Sequence, residues 1–104
     1  MNIQHDFHAD ILKSLAQPTR LKIIEFLRDG ERCVCEIFPA IGEQQSNTSR
    51  HLNYMQSHGI LARRKEGVKI MYVVKHPEVF QIVDLASAIH EQETRQRSGA
   101  VKKR

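Results

Sequence analysis

The first apolar pattern in the chain sets Phe7, Ile11, Leu12 and Leu15 three and four residues apart, the spacing that lines one face of a helix. Gln17-Pro18-Thr19 punctuates it, because proline suits a helix start and fits poorly inside one. Leu21, Ile24, Phe26 and Leu27 predict a second helix, which Asp29-Gly30 stops. Glu31 to Ile41 reads as a short third helix with Val34, Ile37 and Ile41 inward and Gly42 at its end. A fourth helix follows Glu43-Gln44-Gln45 and reaches His58, with Gly59 as its stop. Its apolar stripe is thin: Thr48, Leu52 and Met55, with Tyr54 beside them.

Two strand-like runs, Ile60 to Lys65 and Val68 to Val74, flank Glu66-Gly67 and predict a β-hairpin. His76-Pro77 breaks the second strand. Val79, Ile82, Val83, Ala86 and Ile89 then mark a long last helix with a nearly coiled-coil seam. Residues 95–104 are polar and basic and are expected to fray as a flexible tail, leaving residues 1–94 as the folded domain. This order predicts a mainly α winged helix-turn-helix domain of five helices with a two-stranded hairpin wing. Two apolar terminal helices in so small a chain leave apolar surface over. Pairing them across a two-fold axis, as a homodimer, buries it.

At 104 residues there is chain for one modest core and not for two. The hydrophobic fraction of 40% and charged fraction of 27% suit a globular protein. No apolar run approaches the roughly 18 residues that span a bilayer, and Met1 to Asp6 shows no signal-peptide core, so a reducing cytoplasm is the expectation and no membrane partner is expected. The net charge of +4 only hints at an anionic partner. Its placement says more. Arg63, Arg64, Lys65 and Lys69 gather on the hairpin, where they suit a nucleic-acid backbone and would supply affinity rather than sequence choice.

The outer face of the fourth helix carries Gln45, Ser46, Asn47, Ser49, Arg50, His51 and Asn53. A helix facing only water usually carries Lys and Glu. Short polar hydrogen-bonders beside a basic hairpin suit base edges and phosphates instead, with Arg50 and His51 able to serve either.

Cys33 and Cys35 are the chemical centre of the sequence. Residues two apart on a helix point to nearly opposite sides, so both cannot be core. A helix N-terminus favours thiolate, and Arg32 beside Cys33 pushes the same way. Soft thiolates suit thiophilic ions. One ion held by both sulfurs would distort the first turn of the third helix, which lies behind the reading helix. Oxidation of the pair is an alternative switch, because a disulfide between residues two apart is readily reduced. The plain alternative is a pair of small buried hydrophobes.

Several blocks together resemble a known family. Leu15-Ala16-Gln17-Pro18-Thr19-Arg20-Leu21-Lys22-Ile23, Arg32-Cys33-Val34-Cys35-Glu36-Ile37, Ser49-Arg50-His51-Leu52, Gly59-Ile60-Leu61 and Arg64-Lys65-Glu66-Gly67 are similar, in order and spacing, to the blocks of the ArsR/SmtB metal-sensing repressors. The resemblance implies a homodimer with its fourth helix in the major groove, its wings on flanking DNA, and release when an inducer binds. A two-fold dimer of this kind reads double-stranded DNA as an imperfect inverted repeat.

The departures matter as well. Gln17 stands where the family has Asp, a better helix N-cap. Phe38 stands where arsenic sensors often carry a third Cys. Pro77 and Val79 stand where zinc sensors carry their Asp-x-His pair, and only His90 and Glu93 echo the other half of that site. No obligatory cofactor is implied. Arsenite or antimonite is the inducer the resemblance favours, with a small thiol or water completing two sulfur ligands. Cadmium, lead or zinc would follow if His5 and His8 of the N-terminal arm joined Cys33 and Cys35 across the dimer. The chain has no Gly-rich phosphate loop, HExxH, nucleophile elbow or CxxC, so no enzyme is expected. A thiol redox protein and a protein-binding winged helix are the rival classes.

Overall fold

The computed structural model describes residues 3–102. Its elements run α1 (Ile3–Leu15), α2 (Pro18–Phe26), β1 (Arg32–Cys33), α3 (Val34–Ile41), α4 (Gln45–Ser57), β2 (Leu61–Glu66), β3 (Lys69–Val74) and α5 (Glu78–Lys102). The five helices and the hairpin stand in the predicted order, as a winged helix-turn-helix. The expectation fails in two places.

The first concerns the start of the third helix. Residues 31–33 are not helical: Arg32 pairs with Tyr72 and Cys33 with Met71, which adds β1 to the hairpin as an antiparallel sheet of order β1-β3-β2. A two-residue strand has no periodicity to read. Cys33 becomes the N-cap of α3, extended at φ −74° and ψ 147°. The second concerns the tail. Residues 95–102, expected to fray, continue α5, while residues 103–104 lie outside the described residues. Good helix formers and (i, i+4) contacts carry the helix on, such as Arg97 to Glu93 at 3.8 Å.

The core gathers Ile23, Ile24 and Leu27, Ile37 of α3, Leu52 and Met55 of α4, and Leu61 and Tyr72 of the sheet. α3 packs between α2 and α4. Gln17 makes no side-chain cap bond to α2, as the missing Asp predicted, and Pro18 opens the helix instead. Pro39 sits inside α3, so the Cys35 carbonyl cannot receive its usual helical N–H. Gly42 ends α3 at φ 73°, a left-handed conformation that suits glycine. In the hairpin, Glu66 pairs with Lys69 across a turn of Gly67 and Val68, and Gly67 supplies the positive φ of 63°.

The predicted seam of α5 divides. Val79 belongs to the chain's own core with Phe80, Ile82 and Val83 packed around it. Arg28 fixes that end of α5, reaching Asp84 at 2.8 Å and lying over the Phe80 ring. Farther along, Leu85 and Ile89 are 65% and 62% exposed, and Phe7 and Leu12 of α1 are exposed as well.

Thr48 of α4 is fully buried, and its hydroxyl has no hydrogen-bond partner among the described residues. A buried, unanswered hydroxyl costs free energy that an apolar group of the same branching does not. Thr48→Val is therefore expected to stabilise the fold by about 1 kcal/mol, read as a higher urea midpoint at unchanged slope.

Candidate nucleic-acid interface and thiol pair

Of the residues expected to read DNA, α4 exposes Gln45, Ser46 and Arg50 and half-buries Asn47 and Ser49. Glu43 holds the Asn47 amide at 2.8 Å, and Asn47 in turn accepts a hydrogen bond from Arg50. This chain orders three polar side chains at the start of the helix. The N-cap, Gln44, makes no side-chain cap bond, so it leaves the first N–H groups of α4 unanswered at a terminus that favours an anion.

His51 does not belong to that face. It is buried, and its Nδ1 accepts a hydrogen bond from Arg20 Nε at 3.1 Å. The reason lies in the helical period: Thr48, His51, Leu52 and Met55 fall three and four residues apart, and all four are buried. The expected stripe had the right phase, and continuing it would have claimed His51. Arg20 stands in the sequence as one member of the Leu15–Ile23 block, with no role of its own to read. It is buried without a carboxylate, its charge answered by the Lys13 carbonyl at 3.1 Å, the His51 imidazole and the Tyr54 ring 3.9 Å beneath it. One side chain thus ties α4 to α2 and α1.

The four hairpin cations are all exposed. Arg63 and Lys65 alternate with Arg64, so they leave the opposite face of β2. Arg64 is engaged by Glu31 at 2.6 and 2.7 Å and by Glu66 at 2.9 Å. Its guanidinium holds the Glu31 carboxyl below the usual carboxylate range. With its charge answered inside the protein, Arg64 offers less to a phosphate than Arg63, Lys65 and Lys69. Asn53, expected on the polar face of α4 but given no role there, accepts from Tyr72 Oη at 3.2 Å and from Arg63 Nη1 at 3.3 Å. It braces the wing against the reading helix.

The two cysteines are not opposed, as residues inside one helix would be. Cys33 precedes α3 in extended backbone, so its sulfur turns toward Cys35: the Cα atoms lie 5.1 Å apart and the sulfurs are joined as a disulfide. Cys33 is buried and Cys35 exposed. The Cys33 sulfur accepts the Cys35 N–H at 3.1 Å, while Glu36 accepts the Cys33 N–H at 3.0 Å, so the two form a capping box. Arg32, expected to favour thiolate, is occupied elsewhere, 3.6 Å from Glu36 and over the Phe26 ring.

A cleft of about 620 Å³ opens between α3, α4 and the wing. Cys33, Cys35 and Phe38 line one side, Gln45, Ser49 and Asn53 another, and Arg63, Lys69 and Tyr72 the third. The sulfur pair and the polar face of α4 therefore share one concavity, which no sequence spacing reveals.

Other candidate ligands lie elsewhere. His5 and His8 are exposed on α1 with ring centres 6.4 Å apart, and His90 and Glu93 are exposed on α5. Among the described residues no group of three His, Cys, Asp or Glu side chains is placed to hold a metal ion. No helix among them is long and apolar enough to cross a membrane.

Residues 17–63 match the family described as "Bacterial regulatory protein, arsR family". The chain is 35% identical to the cadmium resistance transcriptional regulatory protein CadC homolog of Staphylococcus aureus, over 82% of this chain and 70% of that one. It is 36% identical to the probable mercury resistance operon repressor of Streptomyces lividans, over 81% and 67%. This chain belongs to the ArsR family. The arsenic resistance regulator ArsR1 of Pseudomonas putida is 41% identical over 71% of the chain and 58% of its own length. Among solved structures, Rv0081 of Mycobacterium tuberculosis superposes with a TM-score of 0.82 at 26% identity, over 93% of this chain and 98% of that one. The homodimeric winged helix-turn-helix domain of Mb0332 from Mycobacterium bovis gives 0.80 at 28%, over 90% and 87%. This ArsR-family chain is accordingly a DNA-binding transcriptional regulator and not an enzyme.

The Arg20–His51 contact gives this ArsR-family fold a pH dependence. Burial, then the charges of Arg20 and Arg50, hold the His51 imidazole below its ordinary value of 6.5, against a weaker opposing pull from Glu43. The unfolded chain then binds the proton more readily. The contact contributes in full above pH 6.5, and its contribution is lost as pH falls below that value. Thermal midpoints measured from pH 8 downward should drop on the acid side, and His51→Gln, which can still accept from Arg20, should flatten that drop.

Proposed function

We propose that this ArsR-family chain is a homodimeric repressor. In this reading it grips an inverted-repeat operator with α4 and its wing, and releases it when a thiophilic inducer engages Cys33 and Cys35. The observation that carries the reading is the shared cleft, which Cys33 and Cys35 line together with Gln45, Ser49 and the wing cations Arg63 and Lys69.

Gln45, Ser46, Asn47, Ser49 and Arg50 are the residues we assign to base edges and nearby phosphates, and Arg63, Lys65 and Lys69 to the backbone. Arg50→Ala is expected to weaken the operator selectively. Lys65→Ala is expected to weaken all duplexes about equally and to reduce the salt slope by about 1. Titrations of operator and random duplex across salt concentrations separate the two roles, and equal losses on both DNAs from both variants would contradict the division.

The dimer reading rests on the exposed Phe7, Leu12, Leu85 and Ile89, an apolar surface that a second copy covers, and on the homodimeric M. bovis relative. Each large aliphatic side chain fully buried there contributes about 1.5–3 kcal/mol. Sedimentation at micromolar concentration should return twice the 12.0 kDa chain mass.

The donor set suits a soft ion. Reduction of the Cys33–Cys35 bond by two equivalents of an external thiol, which leave as their own disulfide, frees two neighbouring sulfurs, that of Cys35 exposed for capture. Trivalent arsenic, antimony or a soft divalent metal supplies strong bonds to sulfur and little affinity for the surrounding oxygens. Relatives named for arsenic, cadmium and mercury resistance support that class. With no third donor from the described residues, a small thiol or water completes the set. Cys33 passes any change to the wing through its pairing with Met71, and Cys35 passes it to a helix whose first turn Pro39 has already weakened. The disulfide favours a second reading, in which oxidation of the pair is itself the signal.

Cys33→Ser and Cys35→Ser, each with one strong sulfur donor left, should stay on DNA at arsenite concentrations that release the wild type. Arsenite and peroxide applied separately to wild type distinguish the two signals. Normal release of both variants by every thiophilic ion and oxidant tried would move the sensor away from this pair.

A further inference from the structure

The cleft has room for more than an ion. Its volume of about 620 Å³ matches a small organic ligand, and Cys35 is exposed on its wall while Cys33 is buried. Arg63 and Lys69 line the facing wall, the other polar lining residues Gln45, Ser49 and Asn53 are uncharged, and Glu66, opposite Lys69 across the hairpin, is engaged by Arg64. We propose that Cys35 is a modification site for a low-molecular-weight thiol bearing carboxylates, joined as a mixed disulfide, and that the adduct displaces DNA by lying in the reading cleft and occupying its cations. The proposal rests on the reading of this cleft as the DNA face, and it replaces distortion of α3 with direct exclusion.

The chemistry needs no added oxidant. The incoming thiolate attacks Sγ of Cys35, the exposed sulfur of the pair. The Cys33–Cys35 bond breaks as the new sulfur–sulfur bond to Cys35 forms. The electron pair leaves on Sγ of Cys33, where the Cys35 N–H already donates at 3.1 Å and the start of α3 favours negative charge. A second thiol reverses the modification: it attacks the adduct sulfur, leaves as the external disulfide, and returns Cys35 as a thiol. The protein disulfide is then reduced by two electrons, which come from the two external thiols.

Charge decides between the two mechanisms. An adduct that acts by occupying the cleft must exclude DNA far better when anionic than when cationic, because it competes with phosphates for Arg63 and Lys69. An adduct that acts by bending α3 is indifferent to the sign of its charge. The experiment uses full-length Cys33→Ser, in which Cys35 is the only thiol, labelled with sulfonatoethyl or aminoethyl methanethiosulfonate, two tags of similar length and opposite charge. Binding to a random-sequence duplex at fixed salt, referred to the unlabelled variant, is the readout. The anionic tag should weaken binding by about tenfold or more relative to the cationic tag, since like charges placed together are strongly unfavourable. Equal affinities would overturn the proposal and leave the ion-sensing reading standing, because that reading is tested by arsenite on unlabelled protein. Failure of unmodified wild type to bind duplex would instead count against the DNA reading itself.

A second measurement avoids the variant. Wild type in its disulfide form, treated with reduced glutathione and digested at acid pH, should carry the tripeptide on Cys35. An adduct confined to Cys33 would overturn the proposal even if Cys33→Ser does not fold.

Discussion

A helix whose sequence is mostly polar has little apolar surface by which to dock, and in this protein four buried positions hold α4 in place. Thr48, His51, Leu52 and Met55 are the only positions of α4 that are buried, which leaves Gln45, Ser46, Arg50 and Asn53 exposed on its polar face. Two of the four are apolar. Leu52 and Met55 supply the hydrophobic seat against the core that α2 and α3 share, while His51 contributes a directional bond to the buried Arg20. A buried guanidinium without a carboxylate is costly unless its donors and its charge are met. Here a carbonyl, an imidazole and an aromatic face meet them, each from a different part of α1 or α4. The orientation of the reading helix is therefore specified by polar geometry as well as by apolar packing.

The cysteine pair gains its leverage from a two-residue strand. Without β1, Cys33 and Cys35 would sit on opposite sides of one helix and could share an ion or a bond only by distorting its first turn. Pairing of Arg32 with Tyr72 and Cys33 with Met71 holds Cys33 in extended backbone, which turns its sulfur toward Cys35 and welds it to the wing. The same pairing carries the chain past the wing strand into α3. Phe38, at the position where a third sulfur would extend the ligand set, instead lines the cleft. The concavity in front of the sulfurs is thereby bounded by the wing, the reading helix and an aromatic side chain.

Charge on the wing is less uniform than its composition suggests. Arg64 spends its guanidinium on Glu31 and Glu66, fastening β2 to the segment before β1, while Arg63 braces α4 through Asn53. At surface exposure such pairs contribute modestly to stability. Their larger effect is to fix where the remaining cations, Lys65 and Lys69, project.

The hydrophobic period sufficed to place five helices and a hairpin in order, because each buries one face and that face repeats every three to four or every two residues. Turn residues set their limits, and Gly42 and Gly67 fall where left-handed backbone is required. The polar face of α4 and the basic hairpin were also readable from residue type alone. What the chain could not announce was anything that depends on two distant segments meeting. His51 reads as polar until the helix is docked and its ring meets Arg20 across 31 positions. Arg64 reads as a free cation until Glu31 is brought against it from 33 positions away. Cys33 and Cys35 read as opposed until pairing with a strand nearly forty residues later takes Cys33 out of the helix. Local sequence encodes local backbone preference and which face is apolar, whereas the partners of a buried polar group are chosen by how the elements pack.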